Sequence, residues 1–213
     1  MAALAILVIV INMYWFESDR CDPMVRPLAD RHYNRQSVGA KNFAPPGSCY
    51  VLTTVEYGAY WISSWPFAEY VKHAWAGAWI CTAFRNERRR HPLSSRPGRY
   101  LSSELIVQAV AATMHQWGTP PPLGMITFVD VDETKPKEHP GKCFLEAGFK
   151  PAGGSKGGLV ALKLDPADFP NPDAALARQC GLFGDRVGQR WDAALLSRLR
   201  ESSAHVDVTT VAP

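Results

Sequence analysis

The segment from Ser102 to Pro122 constrains the chain most. Leu105, Ile106, Ala109, Val110, Thr113 and Trp117 recur at helical spacing after Ser102, a capping candidate, while Gly118 and then Pro120, Pro121 and Pro122 stop the helix. Such a helix carries one apolar face and must lay it on something. Apolar, β-rich runs stand on either side of it, Trp75 to Phe84 before and Met125 to Val131 after. A short helix from about Pro140 to Ala147, closed by Gly148, and a final strand from Leu159 to Leu164 complete the order strand, helix, strand, helix, strand. The expectation is an α/β (α+β) fold, a central mixed and mostly antiparallel sheet flanked by helices.

Upstream, the β-branched run in Met1 to Phe16 reads as a buried first strand, with residues 1–11 as an extra apolar N-terminus. It has no basic n-region, contains Asn12 and falls short of the ~20 residues a bilayer span needs, so no membrane partner is expected. Asp22 and Pro23 suggest a helix reaching about Asn34 and delivering His32 and Tyr33 at its end. Tyr50 to Thr54 and Ala59 to Ser63 form a β-hairpin. The 213 residues, 46% hydrophobic and 20% charged, support one well-packed domain, placed over 1–164. Residues 165–213 are a C-terminal extension, with one amphipathic helix through Val187, Trp191, Leu195 and Leu199 and a disordered tail.

Cys21, Cys49, Cys81, Cys143 and Cys180 are scattered, odd in number and without a C-x-x-C pair, which argues against a disulfide framework or zinc ribbon and for a cytoplasmic protein. A net charge of +3 is too small to diagnose nucleic-acid binding, but its distribution is uneven. Six arginines lie between Arg85 and Arg99 against the single acid Glu87, a run that either grips phosphates or is a solvated loop. Trp61, Trp65, Phe67, Tyr70, Trp75 and Trp79 make an aromatic-dense stretch, of the kind that fills a core or holds an unstacked base.

Cys143-Phe144-Leu145-Glu146-Ala147-Gly148-Phe149, followed by Lys150, Pro151 and a last strand, is similar to the helix-Gly-Phe-strand ending of GNAT acyltransferases. The resemblance covers about Trp79 to Leu164 and implies a single GNAT-like domain. It also implies acetyl-CoA as cofactor, its pyrophosphate on the start of the long helix near Arg99, Ser102 and Ser103. Two departures stand out: no Gly-rich loop precedes that helix, and Phe144 occupies the position where many of these enzymes carry a tyrosine general acid. Cys143 or Tyr33 would then supply the proton, or the reaction differs from simple acetyl transfer to an amine. Within the superfamily the chain most resembles phage Mom-type DNA-modification proteins. The His32-Tyr33 pair, Asn86, the Ser102-Ser103 helix start and Asp130 at a strand end carry that likeness.

What this implies is acyl-CoA-dependent modification of a base in double-stranded DNA, adenine N6 in the Mom type, with an anti-restriction role in a phage or mobile element. His32, Tyr33 and Asp130 would be catalytic, and Arg35, Arg85, Arg88, Arg89 and Arg90 would hold nucleic acid. Arg31 and Arg35 beside the pair are expected to lower the tyrosine pKa and to disfavour imidazolium. Iron, with His139, Asp130 and Asp132 near His32, is an option that the resemblance raises and no compact ligand spacing supports. The alternatives are an ordinary GNAT N-acetyltransferase for a small-molecule or protein amine, with Asp130 or Glu104 as base, and a nucleic-acid-binding module without catalysis.

Overall fold

A computed structural model describes residues 15–54, 57–87, 100–134, 140–155 and 157–172. Its seven strands are β1 (Phe16–Ser18), β2 (Ser48–Thr53), β3 (Ala59–Trp65), β4 (Trp79–Asn86), β5 (Met125–Val129), β6 (Lys150–Gly154) and β7 (Val160–Leu164). They form one mixed sheet in the order β1-β2-β3-β4-β5-β7-β6. All neighbours run antiparallel except β4 and β5, which are parallel. A parallel pair needs a long crossover, and helix α2 (Ser102–Trp117) supplies it. Helices α1 (Arg26–Asp30) and α3 (Lys142–Glu146) are short.

Side chains alternate between the faces of the sheet, so each face carries its own core. On one face, Leu105, Ile106, Ala109 and Val110 of α2 pack with Trp61, Trp79, Cys81, Met125, Leu162 and Leu164, and α3 adds Phe144. The other face is covered in two pieces. Val25, Leu28, Ala29 and Phe43 lie on Val51, Tyr60, Ile62 and Ala83, while Trp75 packs with Ile126, Phe128 and Ala161.

The long helix, the hairpin and the strands after it follow the sequence pattern within a few residues. β1 is a difference: residues 1–14 lie outside the described residues, and pairing runs over Phe16–Ser18, with Trp15 donating from Nε1 to the Leu105 carbonyl at 2.8 Å. Helix α1 is shorter than expected. The Asp22 carboxylate closes a local turn by accepting from the Met24 N–H at 2.8 Å, and the helix begins only at Arg26 with Pro27 in its first turn. β6 is an added strand. The extension helix around Trp191 lies outside the described residues.

Candidate functional site at the fork between β4 and β5

Parallel pairing between β4 and β5 covers three positions, Trp79 with Met125, Ile80 with Ile126 and Cys81 with Thr127. Just beyond, the register of β4 on β3 slips: Ser63 faces Cys81 but Ile62 faces Ala83, so Thr82 is a surplus residue. A bulge of this kind bends its strand and raises local twist. Here it turns β4 away from β5, and the two strands diverge as a fork. Thr82 is fixed by a hydroxyl contact of 2.6 Å with Ser64.

His32, Tyr33 and Asn34 bridge the fork. Asn34 donates from Nδ2 to the Thr82 carbonyl of β4 at 2.9 Å, and the Tyr33 hydroxyl donates to the Phe128 carbonyl of β5 at 3.3 Å. That hydroxyl also lies 3.5 Å from the Asp130 N–H. The three residues expected to be catalytic are therefore brought together, although Asp130 is about a hundred positions away along the chain. Asn34 is a member that the sequence reading missed. Its amide beside a His-Tyr pair at a helix end was the available signal.

The His32 ring is 8% exposed and fully engaged. Nδ1 accepts from the Asn34 N–H at 3.3 Å, and the ring hydrogen-bonds to the Phe84 backbone. Burial pushes its pKa down from 6.5 to about 4, with Arg85 adding to the fall, so the ring is neutral at pH 7. Imidazolium is disfavoured as expected, though burial rather than the flanking arginines is the main cause. With both nitrogens occupied, His32 holds Tyr33 in place, the two rings tilted at a centroid distance of 4.5 Å.

Tyr33 overturns the expectation of a lowered tyrosine pKa. Burial of the hydroxyl against β5 raises it above its ordinary value, and the hydrogen bond from the Asp130 backbone only partly opposes this. The hydroxyl keeps its proton at neutral pH. Asp130 begins a turn: its Oδ1 accepts from the N–H groups of Asp132 at 2.9 Å and Glu133 at 3.2 Å.

The arginines explain why Tyr33 feels no nearby cation. Arg31 places Nε 2.7 Å and Nη2 2.9 Å from the two Glu87 carboxylate oxygens. Arg35, expected on DNA, is 11% exposed and used internally, on Asp30 at 2.8 Å and on the carbonyls of Ala40 and Asn42 at 2.8 and 3.1 Å. It clasps the loop after α1, with each of its three nitrogens donating inside the chain. Arg85 donates to Glu87 at 3.1 Å and to the Arg31 carbonyl at 2.6 Å. The Arg31–Glu87 pair is open to solvent, with 45% and 20% of the side chains exposed, and is worth at most about 1 kcal/mol. Its effect is geometric, fastening the end of α1 to the end of β4. Arg88, Arg89, Arg90 and Arg99 lie outside the described residues.

On the α2 side, Asn86 at the tip of β4 donates to the Tyr100 carbonyl and to Ser102 Oγ, both at 3.1 Å. Ser102 is the first helical residue; the cap position is Leu101, which offers no side-chain bond. Among the described residues no side chain at the cap position satisfies the opening N–H groups of α2; Ser103 lies in that first turn, and so does the acid Glu104. Phe144 packs into the core against Phe84, Trp61 and Phe149 at 6.0, 6.4 and 5.3 Å and supplies no proton.

Iron fits poorly. Among the described residues no three of His, Cys, Asp or Glu converge as ligands, both His32 nitrogens are engaged, and His139 lies outside the described residues. The aromatic stretch also divides: Trp61 and Trp79 are fully buried core, Phe67 and Tyr70 project into solvent, and Trp75 reaches Phe128 near the fork. Among the described residues no helix is long and apolar enough to cross a membrane. Compared with models of protein families, with curated proteins and with solved structures, the chain matches none.

Proposed function

We propose that this protein is a GNAT-type enzyme of the Mom kind, using acyl-CoA to modify a base of double-stranded DNA. The observation that carries the reading is the fork: β4 and β5 pair in parallel for three positions and part, with Tyr33 and Asp130 at the opening and the start of α2 held to the tip of β4 through Asn86. One side of the fork thus offers the N-terminus of α2, whose cap residue Leu101 makes no side-chain bond, and the other offers polar side chains, as a transfer between a thioester and an acceptor requires. Acetyl-CoA would supply the acyl carbon. Tyr33 would hold the proton that Phe144 cannot give, His32 would orient Tyr33, and Asp130 would fix the mouth.

The test is expression in a bacterium, digestion of total DNA to nucleosides, and mass spectrometry against an empty-vector control. We expect an adduct on one base, adenine first, that falls about a hundredfold with Tyr33→Phe, a loss typical of a removed general acid, while the melting temperature is kept. A DNA pool identical to the control would sink the reading. Ordinary N-acetylation of a small-molecule or protein amine has one observation on its side: Arg31, Arg35 and Arg85 are all occupied within the chain. Thioester turnover with an amine and without nucleic acid would select it.

A further inference from the structure

The sheet face opposite α2 is covered by two separate pieces, and they meet at Phe128. From one side comes Tyr33, whose hydroxyl bonds to the Phe128 carbonyl at 3.3 Å. From the other come His73 and Trp75, whose rings lie 5.1 and 5.8 Å from the Phe128 ring, tilted at 55° and 65°. Beneath them Ala78, Ile126 and Ala161 are fully buried, so the core layer is already complete. His73, Trp75 and Phe128 are each only half-buried. We propose that these three rings form the wall on which an unstacked nucleobase lies beside Tyr33.

This deepens the DNA-base reading and rests on it for the identity of the ligand. The chemistry around the wall fits a nucleotide better than an apolar side chain. His73 Nδ1 accepts the Trp75 N–H at 3.2 Å, so the neutral ring carries its proton on Nε2, a donor at the ring edge for the sugar or phosphate of the same nucleotide. Burial lowers the His73 pKa, which keeps the ring neutral at pH 7. The Ser64 and Thr82 hydroxyls lie at the fork, and the cluster of Arg31, Arg85 and Glu87, two cations on one acid, stands where β4 ends. A base extruded from a helix loses its stacking partners, and an aromatic wall replaces them.

The probe is a single-stranded oligodeoxynucleotide bearing one 2-aminopurine, whose fluorescence is quenched on stacking, with an abasic oligonucleotide of equal length as control. Wild type should quench the probe. His73→Ala and Phe128→Leu should each weaken its binding by about tenfold, the loss expected for one base-aromatic stack. His73→Phe, which keeps a ring and loses only the Nε2 donor, should restore most of the binding, and the abasic control should bind all variants alike. The proposal is overturned if His73→Ala and Phe128→Leu bind and quench as wild type does, or if the abasic strand loses as much affinity. The outcome stays separable from the catalytic reading. An adduct formed by wild type with an unchanged KM in His73→Ala removes the wall and leaves the activity. Loss of 2-aminopurine binding in the variants with no adduct from wild type keeps the wall and removes the activity.

Discussion

Acidification tests how His32 is held. Burial takes its pKa from 6.5 to about 4 in the folded chain, so the unfolded chain binds a proton there at a pH where the folded chain does not. The stabilisation by the neutral, inserted ring is complete above about pH 6.5 and is lost as the pH falls toward 4. Each pKa unit corresponds to about 1.4 kcal/mol, so the whole span is worth about 3 kcal/mol, with about 2 kcal/mol lost between about pH 7 and about pH 5. Urea titrations of wild type and His32→Gln at those two values give the measurement. The glutamine amide takes up no proton, and carboxylates and the other histidines cancel in the comparison. Wild type should therefore lose about 2 kcal/mol more than the variant. Equal losses would mean that His32 is accessible to protons in the folded state, and its assignment as the part that orients Tyr33 would fail.

Saturating acetyl-CoA, at about a hundred times its Kd, should stabilise the protein by about 2.7 kcal/mol and raise Tm in a thermal-shift assay; no shift with either CoA or acetyl-CoA would remove the cofactor. Changing Arg88, Arg89 and Arg90 together to Ala should weaken DNA binding and flatten the slope of log K against log salt by up to about 3, and an unchanged slope would take this segment out of the interface. Gly124→Ala should cost roughly 2–4 kcal/mol by urea denaturation, because Gly124 has φ of +66° and an added Cβ would run into the Leu164 carbonyl. Gly153→Ala, at φ of +106° with open space around it, should cost clearly less; equal costs would show that strain at φ, not the Leu164 carbonyl, sets the penalty.

How much of this was legible in the sequence differs from element to element. Helix α2 could be read because its apolar face and its stop at Gly118 are both local signals. β7 could be read because Val160, Ala161, Leu162 and Leu164 form an apolar run. β6 could not: Lys150-Pro151-Ala152-Gly153-Gly154 has no apolar alternation, and it is an edge strand held by main-chain pairing to β7. The gathering of His32, Tyr33 and Asp130 came from a resemblance, since no periodicity links positions so far apart. The fork itself was hidden, because a bulge is a mismatch between two strands and neither strand shows it alone. The partners of Arg31 and Arg35 were hidden for a related reason. Runs of cations in a sequence say nothing of the acids, Glu87 and Asp30, that the fold turns toward them.

The bulge at Thr82 makes the fork a matter of parity. Trp79 and Cys81 face α2, and so does Phe84, which an unbroken alternation would send to the other side. Shortening β4 by the one residue Thr82 would restore even spacing while leaving every other side chain in the chain unchanged. With Thr82 gone, Ala83 would follow Cys81 directly, opposite Ile62 on β3 and level with Phe128 on β5, so β4 could pair along its length with both neighbours. Phe84 would stay toward Trp61 and Phe144 by plain alternation, and the gap spanned by Asn34 on Thr82 and Tyr33 on Phe128 would close. Whether this sheet is closed or open at its centre is thus decided by a count of residues, and the chemistry of the side chains acts only after that count is set.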